Sequence, residues 1–68
     1  MFIINSNYFY SEVEDSDSTS NTIFDITGDQ EIAQYMKNWC ENAKPGDTAK
    51  IEHEDEYIVI DCVEITKN

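Results

Sequence analysis

The C-terminal segment, residues 49–65, constrains the fold of this 68-residue chain more than any other stretch. Two runs rich in β-branched residues flank an acidic centre, Glu54-Asp55-Glu56, and this arrangement is typical of a β-hairpin. If Glu54 and Asp55 form a two-residue turn, His53 pairs with Glu56. A four-residue turn keeps the same parity, which means that the same residues lie on each face of the hairpin. A loop with an odd number of residues reverses the parity unless a bulge restores it.

The even-loop register assigns the side chains of this hairpin to two faces. The inner face, beneath a covering helix, carries Ala49, Ile51, Ile58, Ile60 and Cys62. The outer face carries Lys50, Glu52, Asp61, Tyr57, Val59, Val63 and Ile65. Because a single helix cannot cover both faces of a sheet, the apolar members of the outer face predict contact with a partner chain.

The N-terminal part of the chain predicts a second pair of strands. Residues 2–10 begin as an apolar strand, and residues 22–27 predict another strand that pairs with it as a hairpin. Between them, residues 11–22 are polar and acidic and predict a solvated loop.

One helix is predicted over residues 29–43, with Thr27 or Asp29 as its cap. Its apolar side chains fall within one arc of about 160°, and the Lys44-Pro45-Gly46-Asp47 sequence is typical of a type II turn that ends it. The predicted fold is therefore a single α+β domain, residues 1–68. It is a small antiparallel sheet with one amphipathic helix packed on one face, in the order β-β-α-β-β.

Charge is the property that most limits the function. Fifteen Asp and Glu residues against four Lys residues give a net charge of −11. Such a chain is repelled by nucleic acid and by anionic membranes and attracted to basic proteins. An apolar content of 40% argues against disorder. The alternative explanation of the charge is solubility alone.

No catalytic or metal-binding motif stands out. His53 is the only histidine, and no second His or Cys pair is spaced to complete a zinc site. The spacing Asp15-x-Asp17-x-Thr19 is that of the start of a calcium loop, but Ser20 occupies the sixth position, where glycine is needed. We therefore predict a protein that is not an enzyme and that uses no metal or cofactor.

Cysteine content and hydropathy predict a cytoplasmic protein. Cys40 and Cys62 are interpreted as free thiols in a reducing compartment, with one disulfide between them as the alternative. No signal-peptide pattern and no apolar run long enough to span a bilayer is found in the sequence.

Rows of carboxylates are the remaining candidate for recognition. Alternate residues on one strand face lie about 6.6 Å apart, so Glu52 and Glu54 can begin a row that approximates the phosphate track of DNA. The predicted partner-binding residues are Glu12, Glu14, Asp15, Asp17, Glu52, Glu54, Asp55, Glu56 and Asp61.

In its small size, strong negative charge, lack of arginine and α+β composition, the chain resembles phage-encoded host-takeover proteins. These include DNA mimics that block HU-type nucleoid proteins, restriction enzymes, CRISPR complexes or uracil-DNA glycosylase. The resemblance is one of size and composition. It implies a stoichiometric inhibitor that binds a basic DNA-binding protein of the host, with an HU-type protein as the first candidate. The alternative is an anti-CRISPR or antitoxin-like inhibitor acting through an apolar surface without DNA mimicry.

The apolar outer face also predicts a homodimer. Its interface would consist of Tyr57, Val59, Val63 and Ile65. Two-fold pairing would bury these side chains and join two acidic hairpins into one negative surface. The alternative is a monomer in which the N-terminal strand covers the same face.

Overall fold

The computed structural model describes residues 1–54 and 60–68. Within them the elements are β1 (Phe2–Asn5), β2 (Tyr10–Val13), α1 (Ser16–Thr27), α2 (Gln30–Asn42), β3 (Thr48–His53) and β4 (Asp61–Lys67). The strands form one antiparallel sheet in the order β2-β1-β4-β3. The first and last strands of the chain therefore pair at the centre, and the other two form the edges.

The predicted order β-β-α-β-β with one helix is wrong, because the described chain has two helices in the order β-β-α-α-β-β. Residues 22–27, predicted as a strand, are the second half of α1. The predicted acidic loop, residues 11–22, contributes to β2 and to the first half of the same helix. The N-terminal hairpin exists, but it closes earlier, at residues 6–9, where Ser6 N–H donates to the carbonyl of Phe9 at 3.0 Å.

Local hydrogen bonds cap both ends of α1, a segment rich in Ser, Thr and Asn. At its start the Asp15 carboxylate accepts the Ser18 N–H at 2.7 Å. At its end Gly28 adopts a left-handed conformation with φ of 65°, and its N–H donates to the carbonyl of Phe24 at 2.7 Å. Along its length three threonine hydroxyls donate to carbonyls of the preceding turn: those of Thr19, Thr22 and Thr27.

We expect Asp15→Ala to destabilise the fold and Asp15→Asn to retain most of the cap at neutral pH. The backbone N–H of Ser18 holds the pKa of Asp15 below its usual value, because it hydrogen-bonds the charged form. The stability from this ionisation is present above the ordinary carboxyl pKa and is lost as the pH falls through the lowered value. Urea unfolding of wild type and both variants between pH 2.5 and 7 tests this. If the free energy of unfolding depended on pH in Asp15→Asn as steeply as in wild type, the result would contradict this assignment.

The predicted helix over residues 29–43 is confirmed as α2, and so is its cap. The Asp29 carboxylate accepts the N–H groups of Glu31 and Ile32 at 2.9 and 3.1 Å. After the helix, Asp47 N–H donates to the carbonyl of Lys44 at 2.9 Å, and Gly46 has a φ of 95°, as the third position of a type II turn requires.

The core lies between one face of the sheet and the two helices. It is built from buried side chains of the central strands and of both helices: Phe2, Ile4, Ile23, Met36, Cys40, Val63 and Ile65. Tyr35 is one of the side chains on the predicted 160° apolar arc of α2, but it is 67% exposed, so the arc is not buried throughout. None of the described helices is long and apolar enough to cross a membrane.

The register predicted for the C-terminal hairpin is also wrong. His53 pairs with Asp61 instead of Glu56, so an odd number of residues, 54–60, connects the two strands. The parity of β4 is therefore reversed. Val63 and Ile65 are 0% exposed beneath the helices, whereas Cys62 is exposed. The physical reason is that β4 lies between β1 and β3, so its helix-facing positions form the centre of the core.

Candidate functional site

The face of the sheet opposite the helices is a surface on which several acids can meet a partner. We call it the open face, and it consists of strand residues whose parity is opposite to that of the core residues: Ile3, Asn5, Tyr10, Glu12, Thr48, Lys50, Glu52, Cys62, Glu64 and Thr66. Three of these are carboxylates and one is a lysine.

The three carboxylates of the open face lie on a diagonal that crosses the sheet. Glu12 is on the β2 edge, Glu64 is on the central strand β4, and Glu52 is on the β3 edge. From standard strand spacings, Glu12 and Glu64 are about 12 Å apart, Glu64 and Glu52 about 8 Å, and the whole line is about 20 Å long. Measured along the helix axis, this length spans about six phosphates of one DNA strand, at 3.4 Å of axis per phosphate. The diagonal has a lower charge density than DNA but a comparable reach.

Neighbouring polar groups modify this diagonal at two points. The Tyr10 hydroxyl donates to Glu12 Oε1 at 2.8 Å, and this hydrogen bond to the carboxylate raises the pKa of Tyr10. Lys50 Nζ lies 4.0 Å from Glu64 Oε2, in an exposed pair that contributes little to stability. Tyr10 is itself 59% exposed, so the open face presents an aromatic ring beside its carboxylates.

The acids before and within the start of α1 mostly have local roles. Asp15 caps α1, and Asp17 forms an ion pair with Lys37 of α2 at 2.9 Å. Hydrogen bonding to Asp17 raises the pKa of Lys37 because it favours the charged amine. Glu14 is exposed between β2 and α1. The predicted partner-binding acids at this junction are therefore only partly available to a partner, because Asp15 and Asp17 are engaged within the fold.

The remaining predicted acids lie where β3 ends and β4 begins, and their environments differ. Glu54 is exposed just after β3. Asp61 is 2% exposed and accepts the Asn7 N–H at 3.3 Å, so it joins the N-terminal turn to β4 and offers little surface to a partner. Asp55 and Glu56 lie outside the described residues.

The predicted dimer interface does not exist in the form that the even-loop register required. Val63 and Ile65 are core residues with 0% exposure, so they cannot contact a second chain. The other two members, Tyr57 and Val59, lie outside the described residues. The homodimer itself stays a prediction, without the surface that suggested it.

Both cysteines are free thiols, and they lie in opposite environments. Cys62 is exposed on the open face, which contradicts its predicted inner position. Cys40 is buried in the core, and burial raises the pKa of its thiol despite a hydrogen bond with Thr19 that acts in the opposite direction.

We expect a maleimide to label one thiol per native chain quickly and the second only after unfolding. Mass spectrometry of the product should place the fast label on Cys62, and Cys62→Ser should remove it while leaving the fold intact. Fast labelling of Cys40, or of neither thiol, would contradict the parity of β4.

The whole described surface is strongly and unevenly charged. Thirteen of the fifteen acids are described; eleven of these are exposed, Glu64 is half-buried and Asp61 is buried. Within residues 1–54 and 60–68, ion pairs engage two of them, Asp17 and Glu64. No pocket and no group of potential metal ligands is found in the same residues. The geometry therefore offers a partner an acidic surface rather than a cavity.

Sequence reasoning missed Glu64 and Tyr10 as members of this surface. The signal for Glu64 was the alternation Cys62-Val63-Glu64-Ile65-Thr66, which directs the two aliphatic residues inward and the glutamate outward. The apolar run directly before it suggested the opposite parity. Tyr10 could not be assigned to this face from the sequence, because its assignment depends on the turn at residues 6–9.

Comparison with known proteins adds no relative. No family model, no curated protein and no solved structure matches the chain.

Proposed function

We propose that this protein is a DNA-mimic inhibitor that occupies the basic DNA-binding surface of another protein. In this proposal it is phage-encoded, acts in the host cytoplasm and binds its target stoichiometrically without a cofactor. The first candidate target is an HU-type nucleoid protein, by analogy of class alone.

The observation that carries the proposal is the excess of exposed carboxylates over the cations that could neutralise them. In the described residues eleven acids are exposed, whereas two of the four lysines, Lys37 and Lys50, are already in ion pairs with acids. A surface of this kind attracts a basic cleft over long range and releases the counterions bound there.

The open face supports a more specific version of the proposal. Within residues 1–54 and 60–68 it is an uncovered sheet surface about 14 Å wide from edge to edge, and it carries the diagonal of Glu12, Glu64 and Glu52. Its cation Lys50 lies 4.0 Å from Glu64, and within the described residues it forms no ion pair with the two edge carboxylates. We assign the open face as the surface that faces the target.

A displacement titration tests this function. A purified HU-type protein is bound to fluorescently labelled duplex DNA, and the acidic protein is added at low and at high salt. We expect displacement of the DNA at low salt and little displacement at high salt. For other targets, a pull-down from bacterial lysate eluted by a salt gradient selects the partner to test in the same way. Mimicry would be contradicted if the affinity for that partner did not change with salt and the partner kept its DNA when the acidic protein bound.

A further inference from the structure

The outer edge of β3 is an uncovered sheet edge in the described part of the chain. This strand pairs with β4 along all six of its residues, and no described strand lies on its other side. The opposite edge, β2, is shorter, at four residues. Proteins commonly protect their edges with short strands or charged side chains, so the longer edge is the one suited to pairing with another segment.

The register shows which backbone groups of β3 point outward. Lys67 N–H donates to the carbonyl of Asp47 at 2.9 Å, just before the strand begins. Because hydrogen-bonded and non-hydrogen-bonded pairs alternate in an antiparallel ladder, the groups that point away from β4 belong to Thr48, Lys50 and Glu52. In the described residues these groups make no backbone hydrogen bond outside the sheet. The edge thus offers three donor–acceptor pairs to an added strand.

The side chains along this edge define the chemistry of the strand that fits it. Lys50, which could protect the edge, instead lies 4.0 Å from Glu64 on the neighbouring strand. Glu52 is exposed on the open side, and Glu54 follows it. On the helix side the edge carries Ala49 and Ile51, both half-buried against the core. On one side an added strand would therefore meet Glu52, with Lys50 and Thr48 beside it, and on the other side an aliphatic surface.

We propose that the edge of β3 binds an extended segment in which cationic and aliphatic residues alternate, by addition of a fifth strand to the sheet. The cationic side chains would lie beside Glu52 on the open face, and the aliphatic ones would cover Ile51 and Ala49. This inference rests on the proposed function, because it assigns to the basic target the segment that the acidic protein holds. It adds backbone pairing to an interaction that charge alone would leave without a fixed orientation.

The test uses a fluorescent octapeptide in which lysine and valine alternate, and two versions of it with N-methylated backbone. An antiparallel added strand bonds β3 through the lysine amides, and a parallel one through the valine amides. We expect methylation of one set to weaken binding about tenfold or more, and methylation of the other set to have little effect. Equal binding of all three peptides would show attraction by charge alone. That result would overturn the edge proposal and leave the proposed function standing.

Two variants of the protein provide the matched control. Lys50→Pro removes an outward N–H without breaking the ladder with β4, and Lys50→Ala removes the same charge but keeps the N–H. We expect the alanine variant to bind the unmodified peptide at least as well as wild type, and the proline variant to lose about tenfold. If the proline variant does not fold, the methylated peptides decide alone. Hydrogen exchange of the Thr48, Lys50 and Glu52 amides is measured without peptide at several protein concentrations. If their protection increases with protein concentration, a second copy of the chain occupies the edge, and the proposal is overturned.

Discussion

Ile65→Ala is expected to destabilise the protein by about 2–5 kcal/mol. The Ile65 side chain is 0% exposed at the centre of the sheet, and its removal leaves a cavity between the sheet and the helices. A chain of this length has a total stability of about 3–10 kcal/mol, so this variant should be partly or largely unfolded at room temperature. Urea unfolding followed by the fluorescence of Trp39, the single tryptophan, measures the effect.

Ile60→Ala is the matched control for Ile65→Ala. Ile60 is 55% exposed directly before β4, so its truncation should change the stability by less than about 0.5 kcal/mol. The even-loop register places Ile60 inward and Ile65 outward and predicts the reverse ranking. A larger loss at Ile60 than at Ile65 would therefore contradict the observed parity. If Ile65→Ala is too unstable to compare in buffer, both variants can be measured in a stabilising osmolyte.

Reversing two carboxylates of the open face, Glu12 and Glu52, together with Glu54 just after β3 is expected to weaken target binding about a hundredfold. The variant carries Glu12→Lys, Glu52→Lys and Glu54→Lys, which are exposed residues that form no ion pair in the described chain. Cations at both edges of the open face would repel the basic surface that the wild-type acids attract. Competition with duplex DNA for the purified target provides the affinity.

The control variant reverses three exposed acids of the helices: Asp25→Lys, Glu31→Lys and Glu41→Lys. Both variants change the net charge from −11 by +6, to −5, so a difference between them reports position and not total charge. We expect the helix variant to lose much less affinity than the open-face variant. Equal losses would show that any acidic surface suffices and would contradict the assignment of the open face.

Secondary structure could be predicted from the sequence where capping residues, turn residues and apolar periodicity agree. The helix over residues 30–42 has an aspartate cap, a strong apolar stripe and a Pro-Gly turn after it, and it was predicted within one residue at each end. The first helix also has an aspartate cap, Asp15, but it lacks a strong apolar stripe and a Pro-Gly turn. Its residues favour turns or strands, and its formation also depends on Thr19 and Ile23, which pack in the core, and on Ser20, whose hydroxyl donates to the carbonyl of Ala33 across the helix pair. Such tertiary contacts are invisible to local propensity.

The candidate site depended on a parity that local reasoning could not decide. Shifting a strand by one residue moves every side chain to the other face, and the shift here was set by the length of the connection between His53 and Asp61. Glu12 and Glu52 were predicted correctly as surface acids. Asp61 was not, because its carboxylate is directed inward and anchors the Asn7 N–H.

The dependence of binding on salt tests the central claim most directly. The affinity of the wild-type protein and of both triple variants for the same basic target is measured over a range of salt concentrations. We predict a steep loss of affinity with salt for wild type, a similar slope for the helix variant, and a clearly shallower slope for the open-face variant. A wild-type affinity that does not change with salt, or an equal slope for all three proteins, would contradict recognition by the carboxylates of the open face.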